Sequence, residues 1–336
     1  MYRKATPLFL KCETPTHAGS GSELGIVDLP IQREKHTAFP KIESSSIKGA
    51  IRESIERKVN SRTFTDWAND DTCIQRLFGY DEGSLNDSEK ANLRKVFTHQ
   101  NNQVSNEFAG CMGFTDARLL LFPVKSMKGV FAWITCPKVL QQFALDLKLA
   151  GIECPSIPVD FGLISKNSSL VLSNGQQQNV VLEEYAYPVT KDDTTTRLNH
   201  WLADQIFPEK QGANHQKMAQ DIVVLSNDDF KDFVSLSTEV ITRTKINNVT
   251  GTVEPGALFT EEYLPTETVM YTLVLTSQEF TEESRQMTQE QVWDFFQKKL
   301  PEVFQIGGNS SLGKGLMSTC LVANATTAKT KGGQNA

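Results

Sequence analysis

The sequence predicts a single elaborated α+β domain over residues 1–325, on three observations. Short apolar runs with strand periodicity are interspersed with amphipathic helices without a strict βαβ rhythm. A polar, irregular stretch from about 152 to 220 reads as an insertion into one domain. No period of solenoid length recurs, so the order of the elements must build the core.

The first strand is "TPLFLKCE", residues 6–13, with Leu8, Leu10 and Cys12 on one face. A long loop follows, "TPTHAGSGSELGIVDLPIQREKHTAFPKIESSS", too rich in Gly, Pro and Ser for a long regular element; loops of that length in a compact domain are usually functional. It leads into a helix whose apolar stripe is Ile47, Ile51, Ile55 and Val59, with Ser44, Ser45 and Ser46 offering caps. "DWANDDTCIQRLFGYDEGSLNDSEKANLRKVF" gives short helices and turns. The strands "GCMGFTDARLLLFPVKS" and "GVFAWITC" come next, and Pro137 opens a helix that Gly151 closes. Strand, helix, strand, strand, helix is most of a ferredoxin-like β-α-β-β-α-β unit.

Inside the insertion, "SKNSSLVLSNGQQQN" reads as a hairpin and "TRLNHWLADQIF" as a short helix. Beyond it, "DIVVLS", "TEVITRTKINNVTGTVEPGALFTEEYLP" and "VMYTLVLTS" read as strands and a hairpin. The helix "TQEQVWDFFQKKL" and the strand "LMSTCLVA" complete the domain. Residues 326–336 have almost no apolar content and read as a disordered tail.

A net charge of −6 weighs against a wholesale basic nucleic-acid binder. That average hides a local excess: from Ile31 to Arg62 there are eight Lys or Arg against four Glu. The six cysteines form no CxxC pair, which argues against a zinc site and a disulfide framework and fits a reducing cytoplasm. No apolar run approaches a membrane span, and the amino-terminal one is too short for a signal core.

Four stretches carry candidate chemistry. "FQIGGNSSLGKG" approximates a nucleotide-binding loop, but Gly315 stands where a hydroxyl is needed and a strand follows in place of a helix. Gly307, Gly308, Asn309 and Lys314 can still cradle a phosphate, or the stretch is a tight turn. "SSSIKGAIR" sets Ser45, Ser46, Lys48, Gly49 and Arg52 at a helix start, a phosphate site or an ordinary solvated end. The long loop offers His17, Glu23, Asp28, Glu34 and His36. Beside RNA, Asp28 can ligate a metal or orient a 2′-hydroxyl and a histidine can move a proton; otherwise these are turn and loop residues. "GALFTEEYLP", preceded by Arg243 and Lys245, offers Glu261, Glu262 and Tyr263 as acid, ligand or base-stacking surface, or as an exposed strand end.

Four stretches, "GSGSELGIVDLPIQREKHTAFPKIESSSIKGAIR", "FTDARLLLFPVKSMKGVFAWITCP", "GTVEPGALFTEEYLP" and "FQIGGNSSLGKG", occur in the order found in the RAMP superfamily. More narrowly, they resemble the repeated backbone subunit of the type III-B CRISPR effector, the Cmr complex. The resemblance implies a modified ferredoxin-like, RRM-related fold with a β-hairpin thumb, here within "TRTKINNVTGTVEPGALF". It implies copies stacked along a guide RNA, kinking the guide and its paired target at regular intervals and cutting the target at each kink with a divalent metal, Mg or Mn. Asp28 matches the residue on which cleavage depends and is the candidate metal ligand; His17, Glu261 and Tyr263 match groups around the cut, and Lys48 matches a lysine facing the guide backbone. The implied partners are the guide RNA, complementary target RNA, further copies of the chain and other Cmr subunits, with no membrane. A non-catalytic guide-binding subunit and a solitary guide-processing ribonuclease remain as alternatives.

Overall fold

The computed structural model describes residues 4–22, 27–60, 67–81, 87, 107–207, 209–210, 212–279 and 287–322. Glu23 and the 326–336 tail lie outside the described residues, as does most of the stretch between 82 and 106. The first strand, Lys4–Cys12, is the spine of the molecule. It lies between Val269–Thr276 and Leu316–Leu321, antiparallel to both, with Phe9 opposite Tyr271 and opposite Cys320. Ala117–Lys125 pairs antiparallel with the far edge of Val269–Thr276. Four central strands therefore run in the order Leu316–Leu321, Lys4–Cys12, Val269–Thr276, Ala117–Lys125.

Both faces of this sheet are covered, which is why the first strand is buried almost along its whole length and lacks a polar face. On one face Phe143, from the helix Pro137–Leu149, meets Phe9, Tyr271 and Trp201, the last on the helix Asp193–Ile206. On the other, Phe114 stacks on Phe78 and meets Phe296 edge-on, bringing in the helices Trp67–Phe78 and Gln289–Lys299. The helix Ser44–Asn60 packs alongside them and fully buries Ile47, Ile51 and Ile55, the stripe expected from the sequence.

The second half of the expected β-α-β-β-α-β order falls elsewhere. Phe131–Thr135 does follow Ala117–Lys125 as its hairpin partner, but on the side away from the first strand. From there the sheet continues outward through Ile222–Val224 and Leu163–Ser165 to Thr190–Asp192. The strand beside the first one arrives only at Val269, and its following helix is Gln289–Lys299, closed at its start by a Thr288–Gln291 capping box. Sequence adjacency misled because a hairpin partner is the nearest strand in the chain without being the nearest to the spine.

Two further expectations change locally. Ser44, Ser45 and Ser46 are the first turn of the helix, not its caps; the Ser44 amide donates to Asp116 Oδ1 and the Ser46 and Ile47 amides to Glu43 O. The helix Asn227–Leu236, capped by Ser226 accepting from the Asp229 amide, was not expected, although Ser-x-x-Asp is a start signal. The hairpin of the insertion is present, with strands Leu172–Asn174 and Gln177–Leu182 turning at Gly175, φ +63°. Cys12, Cys111, Cys136, Cys154 and Cys320 are free thiols.

Candidate active site at the root of the hairpin

Glu239–Ile246 and Val253–Tyr263 form a two-stranded ribbon that joins no other sheet among the described residues. Its outer half is exposed, with Val249 at the tip 94% accessible, while Glu261, Glu262 and Tyr263 at its root are buried. Alternate strand residues face opposite sides, so Glu261 and Tyr263 share one face of the root and Thr260 and Glu262 the other.

On the first face Glu261 is the hub. Its Oε2 accepts from Arg243 Nε at 2.6 Å and from the Tyr263 hydroxyl at 2.6 Å, and Asn309 Nδ2 donates to the carboxylate at 3.1 Å. Arg243 and Asn309 also donate to the Tyr263 oxygen, each at 2.8 Å. Lys314 Nζ stands 5.1 Å from the Tyr263 ring centre and the His17 ring 5.5 Å from it. Burial pushes the Glu261 carboxyl up, but the bonds from Tyr263, Arg243 and Asn309 outweigh it and hold the group below its ordinary value. Burial and the carboxylate together push the Tyr263 phenol up.

The long loop and the glycine loop meet here. Gly308 N donates to His17 O, Gly315 N to Pro15 O, and Ile306 N to Gly315 O. A Cβ on Gly307 would collide with the His17 carbonyl and one on Gly315 with the Ile306 carbonyl, and both glycines have positive φ, +80° and +77°. His17 Nδ1 lies 2.7 Å from Glu262 O. A carbonyl only accepts, so Nδ1 carries the proton and Nε2 of the neutral ring is the free acceptor. Nε2 faces Gly19, where a Cβ would crowd it.

On the second face the segment 27–31 lies along the ribbon, joined to it by one parallel bridge between Leu29 and Glu261. Asp28 Oδ2 accepts from the Thr260 amide at 2.7 Å and the Thr260 hydroxyl at 2.8 Å. The carboxylate is exposed, and the Thr260 amide, then its hydroxyl, hold it below the usual carboxylate range.

The structure thus brings together His17, Glu261, Tyr263, Arg243, Asn309 and Lys314, and sets Asp28 on the neighbouring edge of the same ribbon. Several side chains named for RNA are already engaged. The Arg243 guanidinium is held by Glu261 and Tyr263, and the Gly308 amide by His17 O. Arg52 donates to Glu56, Gly79 O and Gln75, fastening its helix to the next. Lys48 donates to Met112 O, and burial with Arg52 nearby holds its ammonium below its ordinary value. Ser46, Gly49 and Gly307 line one open cleft between the first helix and the glycine loop, and Ser45 is exposed beside it. Sequence reading missed Thr260 entirely and saw Glu262 only as one of an acidic pair; neither carries a local signal, since their roles depend on a pairing across more than 230 residues.

Among the described residues no three His, Cys, Asp or Glu side chains converge as a metal site. Asp28 offers one exposed carboxylate with only Oδ2 engaged among the described residues, a donor set that suits a hard cation completed by water and substrate phosphate. No helix among the described residues is long and apolar enough to cross a membrane, which leaves β-barrel spanning unaddressed.

A family model for the RAMP superfamily matches residues 9–318. A relative from Pyrococcus furiosus, "CRISPR system Cmr endoribonuclease Cmr4", is 36% identical over 316 residues, covering 92% of each chain. The chain therefore belongs to the RAMP superfamily, and within it to the family of this Cmr endoribonuclease. The crystal structure of oligomeric Cmr4 from the same organism superposes with a TM-score of 0.64 at 28% identity, covering 95% of this chain and 98% of that one. A chain of the type III-B Cmr-beta complex bound to cognate target RNA has the same fold, with a TM-score of 0.65 at 18% identity over 95% of this chain and 98% of that one.

Proposed function

We propose that this chain is a guide-RNA-binding filament subunit of a cytoplasmic type III-B CRISPR ribonucleoprotein, and that it cleaves complementary target RNA at regular intervals. The observation that carries the reading is the exposed, ionised Asp28 carboxylate held at the root of a projecting hairpin, in a chain 36% identical to a Cmr endoribonuclease. The four central strands with helices Ser44–Asn60 and Gln289–Lys299 form the ferredoxin-like core, and everything between Lys125 and Val269 is inserted into it. The exposed ribbon Glu239–Tyr263 is the thumb that kinks the guide and target. Backbone groups and hydroxyls around the cleft of Ser46, Gly49 and Gly307, and Lys314 over the Tyr263 ring, contact the guide without reading its sequence.

Cleavage runs through the target's 2′-hydroxyl. Its oxygen attacks the adjacent phosphorus, the bond to the 5′ oxygen breaks in line, the 2′ proton leaves, and the departing oxygen takes one up. A carboxylate held below its ordinary pKa by the Thr260 bonds accepts protons poorly, so Asp28 acts as a fixed anion that orients the hydroxyl or holds the cation. A divalent ion bound there, Mg or Mn, supplies charge stabilisation at the phosphate. His17, buried at the hairpin root with Nδ1 on Glu262 O and Nε2 against Gly19, is the histidine this reading assigns to moving a proton. Glu261 and Tyr263 are buried and mutually bonded, and they hold the hairpin root against the glycine loop.

The test is the assembled, guide-loaded complex carrying Asp28→Asn. Target cleavage should fall at least about a hundredfold while guide and target binding persist. Cleavage at the wild-type rate by that complex would overturn the assignment.

A further inference from the structure

We infer that Thr260 is a positioning residue for the cleavage reaction, tying the Asp28 carboxylate to the hairpin so that the two move as one body. This rests on the reading of Asp28 above. The ties of the 27–31 segment run to the ribbon at successive points. Asp28 N donates to Thr260 Oγ1 at 3.0 Å, and Asp28 Oδ2 takes both the Thr260 amide and its hydroxyl. Leu29 N donates to Thr260 O and Glu262 N to Leu29 O, each at 3.0 Å. Ile31 N donates to Glu262 Oε2 at 3.0 Å.

The far end is anchored just as firmly. Glu262, 5% exposed, also accepts from Arg33 at 2.5 Å and from the Thr238 hydroxyl at 2.8 Å, and Arg33 reaches on to Val234 O at the end of the helix Asn227–Leu236. Glu262 is therefore the structural clamp on the loop, whereas among the described residues Thr260 is the partner of the Asp28 carboxylate. The threonine hydroxyl both accepts from the Asp28 amide and donates to the Asp28 side chain, which fixes backbone and rotamer together. Since Thr260 belongs to the hairpin and not to the central sheet, a hairpin seated on a kinked duplex carries Asp28 with it to the kinked nucleotide. Uncoupling them leaves the charge present but misplaced, and a displacement of about 1 Å can lower a rate up to about a hundredfold.

The test compares Thr260→Val, Thr260→Ser and Asp28→Asn in guide-loaded complexes, reading target affinity and single-turnover cleavage at saturating target RNA. Valine keeps the shape and the amide but loses the hydroxyl; serine restores it. The expected result is a cleavage rate about ten- to a hundredfold lower for Thr260→Val at unchanged target affinity, and near recovery in Thr260→Ser. Wild-type cleavage by Thr260→Val, with Asp28→Asn inactive, overturns this inference alone. Equal losses in Val and Ser, or a loss that follows target affinity, also overturn it by showing a merely structural role. Wild-type cleavage by Asp28→Asn overturns the underlying reading instead.

Discussion

The Glu261 hub makes a quantitative claim about the hairpin root. Replacing Arg243 with Met keeps most of the stem volume and removes the cation 2.6 Å from a carboxylate whose side chain is 7% exposed. Stripping one partner from a fully buried pair costs about 3–5 kcal/mol. Here the guanidinium is a quarter exposed, and Tyr263 and Asn309 still donate to Glu261, so the expected loss is about 2 kcal/mol. Glu261→Gln alone should cost about 1 kcal/mol, because the stranded Arg243 can turn to water. The double variant should lose about 2 kcal/mol, less than the separate losses combined, giving a coupling of about 1 kcal/mol. Urea unfolding at neutral pH, with midpoint and slope compared across the four proteins, measures this. The Glu261 carboxyl is depressed in the folded state, so its contribution is full above its ordinary value of 4.5 and is lost as the pH falls through the lower folded value. The gap between wild type and Arg243→Met should therefore be full at neutral pH and close in acid as the Glu261 carboxylate takes up its proton. An Arg243→Met protein within about 0.5 kcal/mol of wild type, or strict additivity in the double variant, would refute the hub.

Two shorter predictions concern the glycine loop. Gly315→Ala meets both a positive φ and the Ile306 carbonyl, so it should destabilise by about 2 kcal/mol or more, whereas Gly256→Ala, equally positive in φ but in open space, should lose about 1 kcal/mol; thermal unfolding separates them. Lys314→Met should weaken guide loading and lower its salt dependence by about one phosphate contact. Lys314→Glu should be worse, because it sets a carboxylate beside Tyr263 in place of the ammonium; guide affinity unchanged in both variants would remove Lys314 from the interface.

Local periodicity made the elements legible because it is a property of consecutive residues. The 47, 51, 55 stripe, the first strand and the last one all lie where the pattern puts them. The strand order was not legible, since the pairing of Lys4–Cys12 with Val269–Thr276 spans almost the whole chain and no nearby residue encodes it. The same limit divides the site. Asp28, His17, Glu261 and Tyr263 were marked by residue type and resemblance, yet their arrangement on two faces of one ribbon follows only from the register that sets Leu29 beside Glu261. Charge reads differently: Arg52 and Arg243 belong to the pattern of a basic surface, and in the structure their guanidiniums bond to the protein's own groups while the side chains stay 28% and 25% exposed.

Those bonds bear on how an acidic chain can hold RNA at all. Arg243 neutralises Glu261, and Lys41 binds Glu43 and Asp116, so much of the positive excess between 31 and 62 and around the hairpin serves to cancel carboxylates that the fold needs for its own ties. The open cleft beside the glycine loop is lined by Ser46, Gly49, Ser54 and Gly307 together with Glu53 and Arg57, which pair with each other. On the proposed function, such a surface would hold a backbone by fit as well as by field, and repetition along one strand would add to the grip of each subunit. Gly315 belongs to this economy. A side chain there would push the Ile306 carbonyl aside and open the loop, so the position that departs from a nucleotide-binding pattern is the one that keeps the glycine loop closed against the His17 segment.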